Sequence, residues 1–494
     1  MGFKEDASFA RFVSMGAAGT AKVGQVLRNE HGHRPVELER YAMANKVWQT
    51  KVKRLRLPDL VCLQCGLRVE SRAKSKLGII LSHSERPGRR WNEGGMRPQD
   101  LYAFAHADPA RDIPVVGKPV FFTAAALNAS VTRAKLSAPK AASEGSEMTM
   151  SWACWVAERA GVFQGVDSEN RLVCRWDGGK FTRYWQWDRW GDQRFVYVRP
   201  EEVLVAGETM IAGIVAPAPS LACPGRTWDV AAALGASDQA ERYAAVKAVG
   251  IEGRADLAEE LMSIESRETD WRIKLEALVS LARLDPERWT SRIGQRANAF
   301  IDSDEARMEA VFALSEVPTD EAAQALAAVA NDAANPTELR SAAAWGLGRG
   351  AKPRPDLLLP LTADEDPLIS LHAIVGLQTL PDELVPQLVR RLGAGDDRGA
   401  ASAACLLSRH RRVEALLDAA RGHGEARLWA LGALGELPPD QVQAAGGELE
   451  AEMVRTLEPL WHAQRNWLRR DQGRDGLEAL EVQTVRFDPV DLTA

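Results

Sequence analysis

The 494-residue sequence has few cysteines and no long hydrophobic run. Six cysteines at irregular spacing are too few for the disulfide framework of a secreted protein. The longest apolar run, residues 203–215, is interrupted by Gly207 and Glu208 and is too short to span a bilayer. The sequence also opens without the pattern of a signal peptide. We therefore expect a cytoplasmic protein with no membrane partner.

The net charge of −6 conceals a basic amino-terminal region. Residues 1–140 contain 24 lysines and arginines and 12 acids, a balance of +12, whereas the remainder carries −18. This asymmetry predicts that a polyanion, DNA or RNA, binds the basic region. The alternative is a solvated surface beside acidic neighbours. Clusters of basic residues flank a charged motif on both sides. The cluster before the motif is Lys46, Lys51, Lys53, Arg54 and Arg56, and the one after it is Arg86, Arg89, Arg90 and Arg97.

The charged motif spans residues 58–76, with the sequence PDLVCLQCGLRVESRAKSK. Residues 60–63 and 67–73 are typical of two strands, with Gly66 in the turn between them. A two-residue loop of Gln64 and Cys65 would set Asp59 directly opposite Glu70. Two carboxylates at paired positions repel each other, and a bound Mg²⁺ or Mn²⁺ would remove that repulsion.

Basic residues follow on the same strand. Because side chains alternate between faces, Arg72 and Lys74 share the face of Glu70, while the other face is mostly apolar. Two metal-binding acids, Asp59 and Glu70, beside a cation that stabilises developing phosphate charge make up a phosphodiester-hydrolysis site. The alternative is that the alternating charges form only a solvated strand face.

Residues 36–104 resemble the PD-(D/E)XK nuclease superfamily, through Pro-Asp, a short hairpin and an acid followed by basic residues. The resemblance implies a Mg²⁺-dependent endonuclease with catalytic Asp59 and Glu70. A further carboxylate from the preceding segment would be Glu39, or else Glu37. The superfamily lysine corresponds to either Arg72 or Lys74, because arginine occupies the position two after the acid.

Cys62 and Cys65 have the spacing of a zinc knuckle. Four ligands are normally required, and no second such pair follows nearby. His83, Cys154 and Cys174 could complete a site only if the tertiary fold brought them together. The sequence therefore favours a hairpin turn that contains cysteines over a structural Zn²⁺ site.

The carboxyl-terminal half consists of repeats. Four of the segments begin with arginine at intervals of 30, 35 and 33 residues, and each segment precedes a second apolar-periodic helix. Repeats of this kind cannot bury a helix face alone and must stack, which predicts a solenoid. They resemble short HEAT-like repeats, which present a surface to a protein partner. The repeated segments are 242–249, 272–279, 307–314, 340–347, 369–377, 399–407 and 427–434.

The sequence thus predicts a multidomain protein. We expect an α/β nuclease-like domain at 1–118, a β-rich, tryptophan-containing module with a linker at 119–225, HEAT-like helical repeats at 226–470 and a tail at 471–494. In the first domain, we expect a helix from Pro98 through Phe104 after the hairpin.

Two hypotheses follow from this organisation. One is a metal-dependent nuclease, whose fusion to a repeat scaffold suggests prokaryotic antiviral defence. The other is a non-enzymatic HEAT-repeat adaptor whose basic region binds nucleic acid or an acidic partner.

Overall fold

The computed structural model describes residues 6–38, 55–85, 90–91, 95–108, 114–138, 146–184, 193–299, 303–446 and 451–463. The chain forms two compact units. The first, which we call the α/β unit, contains the described residues from 6 to 252, and the second, the helical unit, contains the described residues from 253 to 463. Within the described ranges, no helix is both long enough and apolar enough to cross a membrane.

The α/β unit contains a mixed central sheet and three smaller sheets among its described residues. Its helices are α1 (Asp6–His31), α2 (Ala124–Ala129), α3 (Val230–Leu234) and α4 (Gln239–Ile251). Its strands are β1 (Pro35–Glu37), β2 (Leu60–Cys62), β3 (Arg68–Lys74), β4 (Ile79–Ser84), β5 (Leu101–Asp108), β6 (Val115–Val116), β7 (Val120–Thr123), β8 (Arg133–Ser137), β9 (Glu147–Trp152), β10 (Cys154–Val156), β11 (Gly161–Val166), β12 (Leu172–Trp176), β13 (Phe181–Tyr184), β14 (Phe195–Val196), β15 (Val203–Leu204) and β16 (Met210–Gly213).

The central sheet has the order β1-β2-β3-β5-β6, and β7 also pairs with β5. β1, β2 and β3 are antiparallel neighbours, whereas β5 runs parallel to β3. The helix expected from Pro98 through Phe104 is therefore wrong, because β5 occupies most of that segment. Residues 101–105 are all buried, and a strand covered on both faces has the continuous apolar character that periodicity alone cannot distinguish from a helix.

Helix α1 covers one face of the central sheet. Val23, Val26 and Leu27 of this helix pack against a buried cluster that includes Val69 and Phe121. The backbones of helix and sheet approach closely at Gly19, where an added Cβ would lie 2.5 Å from the Cβ of Ala73. Glycine permits this approach because it has no side chain. The apolar face predicted for the second strand of the hairpin thus contacts α1.

The opposite face of the central sheet is covered by α4 and by the sheet β4-β9-β8. Ala244 of α4 contacts a cluster with Leu38 and Val61, and Ile79 and Trp152 pack with Phe104. The pairing of β4 with β9 and of β5 with β7 joins strands from both sides of residue 118, where we had expected a domain boundary.

The helical unit contains only helices among its described residues. They are α5 (Ala258–Arg267), α6 (Trp271–Leu284), α7 (Pro286–Asn298), α8 (Asp304–Ser315), α9 (Asp320–Asn331), α10 (Thr337–Arg349), α11 (Pro355–Leu358), α12 (Pro367–Gly376), α13 (Val385–Arg391), α14 (Asp397–Arg409), α15 (Val413–Arg421), α16 (Glu425–Gly435), α17 (Pro439–Gly446) and α18 (Ala451–Ala463), with short 3₁₀ helices at Ala255–Leu257, Pro360–Ala363 and Asp382–Leu384.

Each repeated segment of the sequence lies on a helix. Segment 242–249 lies on α4, which belongs to the α/β unit, and the others lie on α6, α8, α10, α12, α14 and α16. These six even-numbered helices pack successively against one another, while odd-numbered helices alternate with them along the chain. The carboxyl-terminal region is therefore all-helical.

Candidate functional site

The hairpin of β2 and β3 has the predicted register. Leu60 pairs with Val69 and Val61 with Arg68, and continuing this register by one residue aligns Asp59 with Glu70. The turn is longer than the two residues expected. Cys62 N–H donates to Leu67 O and Gly66 N–H to Cys62 O, each at 2.8 Å, so residues 63–66 form a four-residue turn that conserves the register.

Asp59 is half-buried and oriented by the neighbouring strand. Its Oδ2 accepts a hydrogen bond from the backbone N–H of Ser71 at 2.7 Å. On its other side, Asp59 O accepts a hydrogen bond from Leu38 N–H at 3.0 Å. The carboxylate is thus held over β3, beside the position of Glu70.

Glu70 forms an ion pair with Arg72 two residues along the same face. Glu70 Oε1 lies 2.5 Å from Arg72 Nη2, and the side chains are 15% and 40% exposed, respectively. Lys74 follows on this face and is half-buried. Burial, together with the charge of Arg72, lowers the pKa of Lys74. Part of this charged row is therefore withdrawn from water.

The row begins at a fully buried cation. Arg68 is 1% exposed, and its guanidinium pairs with Asp238 at 2.9 Å and with Glu241 at 2.7 Å. On β5, Tyr102 is aligned with Glu70, and its hydroxyl donates to Trp91 O at 2.8 Å. Burial, followed by the charge of Glu70, raises the pKa of Tyr102. This face is therefore only partly exposed to solvent.

The described residues cover part of the predicted site. Asp59, Glu70, Arg72 and Lys74 lie together on the hairpin. Of the predicted phosphate-binding residues, Arg56 is half-buried and Arg90 is exposed. The predicted residues that lie outside the described part of the chain are Glu39, Lys46, Lys51, Lys53, Arg54, Arg86 and Arg89.

A second group of potential metal ligands lies at the turn of the same hairpin. It is the one group, among the described residues, in which at least three His, Cys, Asp or Glu side chains have all their ligand atoms within 4.8 Å of one another. Its members are His33, Cys62, Cys65 and Cys223. Neither Asp59 nor Glu70 belongs to such a group within the part of the chain that the structure covers.

The sequence identified only half of this group. Cys62 and Cys65 were recognised by their spacing, but His33 and Cys223 were not, because Cys223 is 161 residues from Cys62 and carries no local signal. The partners considered from sequence, His83, Cys154 and Cys174, do not belong to the group.

No protein-family model matches this chain, and no curated protein matches it significantly.

Proposed function

We propose that the protein is a metal-dependent nuclease that cleaves DNA, with its active site on the β2–β3 hairpin. The observation that carries the proposal is the row of Glu70, Arg72 and Lys74 on a partly buried sheet face, with Asp59 aligned across from Glu70. Partly buried charged groups with shifted pKa values occur often at functional sites, and Lys74 beside the Glu70–Arg72 pair is such a group, which supports the proposal.

The donor chemistry of the site fits a hard divalent cation. Asp59 and Glu70 offer carboxylate oxygens, which Mg²⁺ and Mn²⁺ prefer. When bound, such a cation supplies positive charge to the phosphate that is attacked. The Ser71 N–H holds one oxygen of Asp59, which fixes the orientation of the carboxylate.

The two basic residues have different roles in this proposal. Arg72 pairs with Glu70 and offsets its negative charge. Lys74 takes the role of the superfamily lysine, because burial lowers its pKa and so makes the ammonium a stronger proton donor. It orients the attacking water or donates to the charge that develops on the phosphate.

The helical unit, in this proposal, is a HEAT-like solenoid that presents a surface to a partner. Two observations support it. The even-numbered helices pack successively, and an arginine near the start of a helix repeatedly contacts a carbonyl of the preceding helix. Arg307 Nε donates to Ala297 O at 3.1 Å and Arg340 Nε to Ala330 O at 2.8 Å. Recurring contacts between neighbours are typical of stacked repeats.

Cleavage tests the active site directly. The full chain is incubated with circular duplex DNA, single-stranded DNA or RNA, in the presence of Mg²⁺ or Mn²⁺. We expect nicking or linearisation of the duplex by the unsubstituted protein. Asp59→Asn and Glu70→Gln should each lower the rate by about 100-fold or more, since each removes a ligand charge but preserves the shape of the side chain.

The matched control is Asp177→Asn, which neutralises an exposed carboxylate in the turn after β12. It should cleave as the unsubstituted protein does. Cleavage of RNA alone would change the substrate class but keep the site. Binding without cleavage under either metal would refute the nuclease proposal in favour of the adaptor. Full activity of both site variants would refute the β2–β3 hairpin as the active site.

Affinity tests the basic segment before Asp59 separately. If it follows a phosphate backbone, the logarithm of the association constant should fall with the logarithm of salt concentration by about 0.9 per contact on duplex DNA. Neutralising Lys51, Lys53, Arg54 and Arg56 together should flatten that slope by up to about four such steps. A slope unchanged by the four substitutions would exclude this segment as the binding surface.

A further inference from the structure

Three distant segments of the chain converge on the four potential ligands at the hairpin turn. His33 follows the end of α1, Cys62 and Cys65 lie at the end of β2 and in the turn, and Cys223 lies in the segment after β16. His33 and Cys62 are buried, with exposures of 2% and 3%. A cluster of three thiols and one imidazole, with two of its four residues buried and two half-buried, does not serve the catalytic proposal, and it needs an explanation of its own.

The distances within the cluster agree with a tetrahedral metal site. Zinc bonds of about 2.3 Å to sulfur and about 2.0–2.1 Å to nitrogen imply sulfur–sulfur separations of about 3.8 Å and sulfur–nitrogen separations of about 3.6 Å. Cys62 Sγ lies 4.0 Å from Cys223 Sγ, and Cys65 Sγ lies 3.6 Å from His33 Nδ1. These two separations agree with one shared ion, and all four ligand atoms lie within 4.8 Å of one another.

The second nitrogen of the imidazole is held by the backbone. His33 Nε2 lies 2.8 Å from Leu221 O, so it carries the proton and donates to that carbonyl. Nδ1, which faces Cys65, is then the nitrogen with a lone pair. A backbone carbonyl on the far nitrogen is the arrangement that orients metal-binding histidines.

The sulfurs accept hydrogen bonds from the backbone, as thiolates do. The N–H of Leu67 donates to Cys65, the N–H of Gly225 to Cys223, and those of Arg34 and Cys65 to Cys62. Such donors stabilise negative charge on sulfur.

We propose that His33, Cys62, Cys65 and Cys223 bind one zinc ion in a closed Cys3His site. Soft thiolates with one imidazole select zinc over Mg²⁺ or Ca²⁺, and four protein ligands leave no position for a substrate. The ion ties the end of α1 and the segment after β16 to the hairpin that carries Asp59 and Glu70. Its role is structural, and it does not depend on whether the hairpin cleaves nucleic acid.

Metal content and spectroscopy test the site on the full chain. Protein purified without chelators should contain one equivalent of zinc. Replacement by Co²⁺ should give the visible absorption of tetrahedral cobalt together with a thiolate charge-transfer band. Cys223→Ser should weaken zinc binding by at least about tenfold, since it removes a thiolate ligand. Cys223→His, which restores a ligand atom, should recover part of that loss.

The matched control is Cys154→Ser, because Cys154 lies in the same unit but outside the cluster. This variant should retain one equivalent of zinc. Removal of zinc from the unsubstituted protein should raise hydrogen exchange in residues 31–38, 60–74 and 216–228 more than in the sheet β11–β12. Low exchange in β11–β12 would show that the rest of the fold remains intact.

Two results would overturn the proposal. One is a protein that takes up no zinc even after reduction and incubation with zinc, or that binds it equally well as Cys223→Ser. The other is a disulfide between Cys62 and Cys223, seen as the loss of two hydrogens in the intact mass that reductant restores.

Discussion

The α/β unit and the helical unit use arginine in different ways. In the helical unit, Arg307 and Arg340 make the same kind of contact, each from the start of one helix to a carbonyl near the end of the helix before it. In the α/β unit, Arg68 makes a different kind of contact, with acidic side chains. It is buried, and it joins β3 to the acids Asp238 and Glu241 near the start of α4. We infer that similar contacts share the stabilisation of the repeated helices, whereas a single long-range contact such as that of Arg68 carries a larger part of it in the α/β unit.

This difference predicts unequal responses to the loss of one arginine. The largest effect should follow Arg68→Met, which leaves Asp238 and Glu241 without their buried partner. Arg97 lies 3.6 Å from Glu241 and compensates only in part. We expect the free energy of unfolding of the α/β unit to fall by about 3 kcal/mol. Urea denaturation followed by peptide-resolved hydrogen exchange measures this for each unit.

The control for Arg68 is Arg183→Met in the same unit. Arg183 is 60% exposed and lies 3.9 Å from Asp167, so its removal should change the stability little. Equal decreases in the free energy of unfolding in the two variants would show that the buried ion pairs of Arg68 stabilise the unit no more than an exposed pair does.

The same contrast explains which parts of the fold the sequence predicts. Every repeated segment lies on a helix, because the 3.6-residue period is local and recurs many times. In the α/β unit, the hairpin register was predicted because a short turn fixes it. The parallel strand β5 was mistaken for a helix, because its pairing with β3 depends on residues far apart in sequence.

The candidate sites follow this rule as well. Asp59, Glu70, Arg72 and Lys74 lie within one hairpin, so their alignment was accessible from spacing. His33 and Cys223 reach Cys62 and Cys65 only through the tertiary fold, and the burial of Arg68 depends on α4. No local pattern contains that information.

The close contact between Gly19 of α1 and Ala73 of β3 provides a second test of packing in the α/β unit. Gly19→Ala would place a Cβ 2.5 Å from the Cβ of Ala73, whose strand cannot move freely. Overpacking of this kind should cost about 2 kcal/mol in the α/β unit. Gly16→Ala, in the same helix, meets nothing within 4 Å and should stabilise the helix by about 0.5–1 kcal/mol. Thermal and urea unfolding of both variants would compare them, and destabilisation by both would contradict the packing argument.

A buried histidine in the helical unit should make the stability of that unit depend on pH. Burial lowers the pKa of His372, in α12, to about 4. The unfolded chain therefore binds a proton near pH 6.5, whereas the folded chain binds it only near pH 4. The free energy of unfolding consequently falls as the pH falls from 6.5 towards 4. Between pH 7 and pH 5 this loss should reach about 2 kcal/mol.

His372→Gln should remove that part of the pH dependence, whatever its effect at pH 7. The exposed His423 provides the control, and His423→Gln should keep the full dependence. The measurement is urea denaturation at pH 7 and pH 5, read in peptides of the helical unit. An unchanged difference between the two pH values in His372→Gln would exclude this histidine as the source.

The smallest effect should follow the loss of a repeated arginine. Arg340 binds Ala330 O and pairs with Asp364 at 2.7 Å, with both side chains 15% exposed. Because neighbouring helices retain their own contacts, Arg340→Met should lower the free energy of unfolding by only about 1–1.5 kcal/mol. Exchange should rise in α9–α11 and stay unchanged in α14–α16, since stability in stacked repeats is shared mainly between neighbours.

Two further variants separate charge from geometry at this position. Arg340→Lys keeps the charge but loses the fork that reaches the carbonyl and the acid together, so its loss should lie between zero and that of Arg340→Met. Arg390→Met removes an exposed arginine of the same unit and should have no measurable effect. If Arg340→Met instead destabilised the whole helical unit by as much as Arg68→Met does the α/β unit, the contrast between distributed and concentrated contacts would be wrong.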